Sequence, residues 1–193
     1  MRRLILILIL TVSFQTLTKA DDISDFEIEG MSIGDSLLNF INEENIIKNI
    51  ISFNTDVKFT MSCSNDNWKE YDRVCLIYKS DDIRYEIQSI SAQLRFFDRD
   101  ISYCHKKQYE VDNDVLANFK SLKRTDWGVL IMDEKTLKFD PTAKYKPITY
   151  DFKNQYERLQ ISCYDLKKED RLKVILYTEE YGKYISHKPK KAN

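Results

Sequence analysis

Two serines near the start of the chain stand where a nucleophile could be presented. Gly30-Met31-Ser32-Ile33-Gly34 places Ser32 between two glycines, and Ser36 follows in Gly34-Asp35-Ser36-Leu37. A serine in the first pattern can cap a sharp strand-to-helix turn with its hydroxyl exposed. It becomes a nucleophile only if a base takes its proton and a third group orients that base. The chain has two histidines, His105 and His187, and Asp165 lies between the serines and His187 in chain order. Ser32, Ser36 and His187 are therefore the candidate catalytic residues. The other reactive side chains are four cysteines, Cys63, Cys75, Cys104 and Cys163.

The Gly34-Asp35-Ser36-Leu37 string resembles the first block of the GDSL, or SGNH, hydrolases, which implies Ser36 as nucleophile and two later blocks, G-x-N-D and D-x-x-H. Val111-Asp112-Asn113-Asp114 has Val in place of the Gly, and Tyr184-Ile185-Ser186-His187 has Tyr in place of the Asp. Without that Asp the imidazole lacks the partner that sets its tautomer. Ser32, Asp165 and His187 also follow the α/β-hydrolase order, yet the strand–helix alternation of that fold is missing. A simpler reading assigns the glycines to a sharp turn and Ser32, Asp35 and Ser36 to the start of a helix, with Ser32 and Asp35 as a capping box.

Composition removes other chemistries. Four glycines and three prolines in 193 residues leave no Gly-rich phosphate loop or dinucleotide fingerprint. Thirty basic and 31 acidic residues give a net charge of −1, without the basic excess of a nucleic-acid-binding surface. Metal ligands would stand two to four residues apart, whereas the cysteine intervals are 12, 29 and 59, so no metal site and no other cofactor is expected. Asp112/Asp114 and Glu179/Glu180 read as solvated helix positions, because residues one or two apart do not face each other on a helix.

Residues 1–20 read as a secretory signal: Arg2 and Arg3, then an apolar run, then Thr18-Lys19-Ala20, with cleavage expected after Ala20. Cleavage removes Arg2, Arg3 and Lys19 and no acid, leaving 27 basic residues against 31 acidic and a net charge of −4. No later stretch is long and apolar enough to span a membrane. The expected organisation is a signal peptide at 1–20, one α+β domain at 21–186 and a disordered basic tail at 187–193. Periplasmic or secreted localisation follows.

The elements that must position these residues are read from periodicity. After an extended arm at 21–29, a helix over 35–41 and a second one capped by Asn42 form a helical hairpin. Val57, Phe59, Met61 and Cys63 alternate as a half-buried strand, and residues 74–78 form a buried one. Residues 83–96 read as one long strand with a phase break near Ser89, the sign of a bulge. From Asp100, apolar residues at three- and four-residue steps mark one long helix packed on the sheet. Residues 127–132 suggest a strand, Asp140-Pro141 and Lys146-Pro147 mark loops, and three alternating strands and a short helix from Thr178 complete an antiparallel meander. Strands that cluster rather than alternate with helices give α+β with an antiparallel sheet.

An even number of cysteines in an exported chain suggests disulfides, and four cysteines allow three pairings. Cys63 and Cys75 lie on consecutive strands and can face each other in a hairpin. Cys104 on the helix stripe and Cys163 on an apolar strand face can meet in the core. Cys63–Cys75 and Cys104–Cys163 are the favoured pairs. Trp68, with Tyr71 nearby, stands in a polar loop, where it either forms a recognition tip or folds back on the sheet.

The segments Ile28-Glu29-Gly30-Met31-Ser32-Ile33-Gly34-Asp35-Ser36-Leu37-Leu38 and Ile161-Ser162-Cys163-Tyr164-Asp165 are similar to small exported proteins of marine, SAR11-like alphaproteobacteria. The pattern of that family includes Cys104 and Cys163. The resemblance implies a periplasmic α+β domain in which the Gly-Asp-Ser-Leu string begins a helix, and it carries no catalytic or binding residue. The leading expectation is a non-enzymatic domain that binds a protein or a small molecule. A small GDSL-like serine hydrolase is the alternative, and a carrier of an apolar ligand in a closed pocket between sheet and helix is a third reading.

Overall fold

The computed structural model of the protein describes residues 22–51, 58–65, 68–97 and 100–187, so the signal segment and residues 188–193 lie outside the described residues. A 3-10 turn at Ile23–Asp25 and another at Leu37–Asn39 precede α1 (Glu43–Lys48). The strands are β1 (Ile50–Ile51), β2 (Phe59–Ser64), β3 (Arg73–Lys79) and β4 (Ser89–Phe96), followed by α2 (Ile101–Asn118). Then come β5 (Lys123–Asp126), β6 (Leu130–Ile131), α3 (Glu134–Leu137), β7 (Lys144–Asp151), β8 (Arg158–Asp165), β9 (Asp170–Tyr177) and α4 (Glu179–His187). The protein is α+β.

One antiparallel sheet runs in the order β1-β2-β3-β4-β9-β8-β7-β5, with β6 also paired to β7. Two meanders thus join side by side through β4 and β9. Because β4 lies at the centre and β5 at an edge, the connection between them must cross β9, β8 and β7. Four strand spacings are about 19 Å. The 18 residues of α2 span about 27 Å, enough for the crossing.

The core lies on one face of the sheet. Val74, Leu76, Ile90, Ala92, Leu172, Val174, Leu159, Ile161, Ile148 and Tyr150 alternate into it, and Cys104 and Val115 of α2 cover the second meander. Ile23, Ile28, Met31, Ile33, Leu37 and Ile46 join the same buried cluster from the N-terminal segment. Both favoured disulfides are present, Cys63–Cys75 and Cys104–Cys163. Cys63 and Cys75 are direct partners in the register of β2 and β3. The Cys63 amide donates to Asn49 on the other side of β2, 3.0 Å. The pair is therefore of the non-hydrogen-bonded kind, in which facing side chains approach most closely.

Several local expectations are corrected. The helix expected over 35–41 is a single 3-10 turn whose cap is Ser36. Ser32 does not complete a capping box, because its hydroxyl donates to the Phe26 carbonyl while the Asp35 carboxylate accepts from the Ser32 amide. No bulge bends a strand over 83–96: Tyr85 has φ 51° and regular pairing begins only at Ser89. Residues 127–129 are not a strand, and Gly128, at φ 66°, turns the chain between β5 and β6. Lys146-Pro147 is not a loop but lies inside β7. The Pro147 carbonyl accepts from the Trp127 amide, 3.1 Å, so its ring nitrogen faces the gap between β5 and β6, where no ladder partner needs a donor. His187, expected to open the tail, closes α4 with a ring nitrogen 2.7 Å from the Lys183 carbonyl.

Helix α4 packs on the opposite face, with Tyr181 and Tyr184 against Phe59. Gly182 makes this approach feasible, since a Cβ there would stand 2.0 Å from the Tyr156 carbonyl oxygen. Gly182→Ala must push α4 off the β7–β8 turn. A loss of about 2 kcal/mol is expected, typical of overpacking, and urea denaturation monitored by circular dichroism measures it.

Candidate functional site

The glycines of the serine segment make a different turn from the one a hydrolase needs. Ile28 and Met31 exchange two backbone hydrogen bonds of 3.0 Å, and Glu29 and Gly30 between them have φ 56° and 77°. Positive φ at both central residues is the signature of a two-residue type I′ hairpin turn. Ser32 then donates its hydroxyl proton to the Phe26 carbonyl, 3.3 Å. Ser36 donates to the Arg84 carbonyl, 2.6 Å, and accepts from the Leu38 amide, 3.3 Å. Each hydroxyl hydrogen is thus aimed at a main-chain oxygen, which cannot act as a general base. His187 contacts Lys183 and the Tyr156 ring. Asp165 pairs with Lys144, 3.2 Å. Among the described contacts, these four residues share no hydrogen bond.

Trp68 folds back. It packs on the hydrophobic cluster, half-buried, and its indole Nε1 donates to the Ser64 carbonyl, 3.0 Å. There it forms one wall of a cavity of about 380 Å³ between α1 and β2–β3. Phe40 and Ile41 add apolar surface, Val74 and Leu76 form the floor, and Asn42, Asn45, Asn49 and Lys48 bring polar groups. The volume falls in the range of small-molecule sites. Sequence reasoning singled out Trp68 but missed the asparagines. Asn42, Asn45 and Asn49 recur at three- and four-residue steps, the spacing that puts residues on one helix face.

The loop carrying Trp68 is held from the N-terminal turn. The Glu29 carboxylate accepts from the Lys69, Glu70 and Tyr71 amides at 2.9, 2.8 and 3.1 Å. Three successive amides around one carboxylate form an anion nest with its anion built in. Tyr71 packs on the core rather than projecting from a tip, and burial, with the charges of Glu70 and Glu29, pushes its phenol up to about 12.

Helix α2 is the second feature that the sequence concealed. Asp112, expected on a solvated face, is 2% exposed. It lies on the stripe of Cys104, Gln108 and Val115. Arg124 grips its carboxylate with two hydrogen bonds, 2.9 and 2.8 Å, and the Tyr150 hydroxyl donates to it as well. Burial raises the Asp112 pKa, but the hydrogen bonds from Arg124 and Tyr150 and the guanidinium charge outweigh it and hold the carboxyl below its ordinary 3.8. Burial and the Asp112 bond push the Tyr150 phenol up. Gln108 donates to the Lys146 and Ile161 carbonyls, 2.7 and 2.9 Å. Every charge in this network is answered from within the protein, so its chemistry is that of a clamp.

Among the described residues, no group of three or more His, Cys, Asp or Glu could hold a metal, and no helix is long and apolar enough to cross a membrane. Comparison with family models, curated proteins and solved structures finds no match to this chain. The residues themselves therefore carry the functional argument.

Two outcomes are expected here. Asp112→Ala leaves the buried Tyr150 hydroxyl and the Arg124 guanidinium unpaired. It should cost about 3 kcal/mol, the low end for a broken buried pair because Arg124 is partly exposed and regains water. Chemical denaturation at neutral pH measures this. Because the folded Asp112 pKa is depressed, its stabilisation is complete above about pH 4 and is lost as pH falls through the folded value. The wild-type protein should therefore lose stability on acidification more steeply than Asp112→Asn, which has no carboxylate to protonate.

Proposed function

We propose that the protein is an exported, non-enzymatic binding domain of the periplasm that takes a small polar organic ligand in the groove beside Trp68. The observation that carries this reading is the groove itself: an aromatic wall fixed by the Ser64 carbonyl, with Asn42, Asn45 and Asn49 along one side. An aromatic face with a few polar groups is the usual composition of a small-molecule site. Amide groups both donate and accept, which suits a molecule bearing several hydroxyl or amide groups. The Glu29 clamp supports pre-organisation, since a loop held by three hydrogen bonds loses little freedom on binding.

A non-enzymatic role is supported by the orientation of Ser32 and Ser36, whose hydroxyl protons go to carbonyl oxygens. Export is supported by the signal-like residues 1–20 and by two disulfides, which persist in oxidising compartments. The apolar-carrier reading gains less support, because the cavity between the start of α2 and β7–β8 is only about 90 Å³.

The test uses Trp68 fluorescence in a Trp127→Phe background, so that one indole reports. Titration with a panel of monosaccharides, amino acids and amides is expected to quench or shift the emission for at least one class. Asn45→Ala should weaken that response about tenfold or more, the loss of one or two buried hydrogen bonds. No response across the panel would count against the groove. Labelling of Ser32 or Ser36 by a fluorophosphonate probe would replace the reading with hydrolase activity.

A further inference from the structure

The sheet face turned away from α2 bears polar groups that neither the groove nor the α2 clamp uses. Side chains alternate between faces along a strand. With Val74, Ala92, Leu172 and Val174 in the core, Arg73, Gln93 and Lys173 project to the other side. These three are lateral neighbours, Arg73 paired with Gln93 and Gln93 with Lys173, and Ser162 extends the row on β8. Arg73 and Lys173 therefore stand on strands about 10 Å apart, with β4 between them. In the adjoining row, Ser91 lies between Cys75 and Ile175.

The donors of this patch are short of acceptors. The Arg73 Nε is buried without a hydrogen-bond partner, and so is the Ser91 Oγ, in a residue only 6% exposed. Neither Arg73 nor Lys173 has an ion pair among the described residues. The nearby Arg171 is neutralised by Glu169. Burial, then the charges of Arg171 and Arg73, push the Lys173 ammonium down. Buried polar groups are satisfied in most native structures, so unsatisfied donors gathered around two uncompensated cations call for an acceptor. By contrast, Lys58 and Lys79 share Glu180, and Lys107 holds Glu110.

We propose that this patch binds a tetrahedral oxyanion, a phosphate or sulfate group, held between Arg73 and Lys173 with the Ser91 hydroxyl and the Gln93 amide as further donors. Arg73 presents a planar fork and Lys173 a point charge, a combination suited to such a group. Donors from three strands approach from several directions. A tetrahedral ion offers acceptors to all of them, whereas a carboxylate confines its acceptors to one plane. The patch and the Trp68 groove lie on opposite faces of the sheet, so this site stands or falls independently of the function proposed above.

The experiment measures binding of inorganic phosphate, inorganic sulfate and phenyl phosphate to the mature chain by calorimetry, at fixed ionic strength set with chloride. Saturable one-to-one binding is expected. Lys173→Met should weaken it at least tenfold and Ser91→Ala several-fold, while Lys106→Met, on the exposed face of α2, should leave it unchanged. Ser91→Ala removes only a hydroxyl and keeps the test valid if Lys173→Met does not fold. Tighter binding of phenyl phosphate than of inorganic phosphate would identify an organic phosphate as the ligand. Equal binding would identify the free ion. The proposal is overturned if none of the three anions binds at 10 mM or less, or if Ser91→Ala and every folded Lys173 variant bind as the wild type does.

Discussion

The structure depends on how α2 is fastened across the second meander. Its inner stripe carries Cys104, Gln108, Asp112 and Val115, so a disulfide, an amide, a carboxylate and an apolar side chain follow one another at helical spacing. The three polar members bind across three strands: Cys104 bonds Cys163 of β8, Gln108 reaches the Lys146 carbonyl of β7 and the Ile161 carbonyl of β8, and Asp112 receives Tyr150 of β7 and Arg124 of β5. An ordinary apolar stripe would tolerate sliding along the sheet. Directional bonds at three successive levels do not, because each would have to break before the helix could shift, leaving buried groups unpaired. The helix thereby sets where β5 returns and closes the far edge of the sheet.

The first meander is covered differently. Among the described residues, no long helix lies over β2–β4. The segment 22–51 does that work with six buried apolar side chains and a few fixed turns, of which Glu29-Gly30 is the tightest. The same turn aims the Glu29 carboxylate at the amides of residues 69–71, so the cover and the Trp68 loop form one unit. The result is a sheet with two unlike faces. One is sealed except for the groove beside α1. The other carries the Cys63–Cys75 bridge and Ile77, is overlaid by α4 near Phe59, and has its cationic row at the centre.

Much of this was legible in residue order. Alternation in 159–163 and 172–176 marks strands with one face in the core, while that in 59–63 marks a strand whose apolar side chains face α4 and the Cys63–Cys75 bridge instead. The cysteine pairs follow from the same periodicities. Asp112 was misjudged because a carboxylate is normally solvated. Its position four residues after Gln108 and eight after Cys104 was the available signal, but the partners that make its burial tolerable, Arg124 and Tyr150, come from separate strands. Pro147 misled in the same way. Proline normally marks a break, yet it is harmless where the neighbouring strand is itself interrupted, and only the pairing of β5 and β6 with β7 reveals that interruption.

The sequence by itself indicated the class of the fold and favoured the disulfide partners that the structure contains, because these rest on composition and on periodicity within single elements. It could not separate a catalytic serine from a turn serine. That distinction depends on where a hydroxyl proton points, and the acceptors, Phe26 and Arg84, are placed by the folded chain. The grouping of Trp68 with three asparagines, and of Arg73 with Lys173 across β4, was decided by tertiary structure alone. Residues up to 100 positions apart become neighbours only through strand order, and strand order is set by burial of the whole sheet at once.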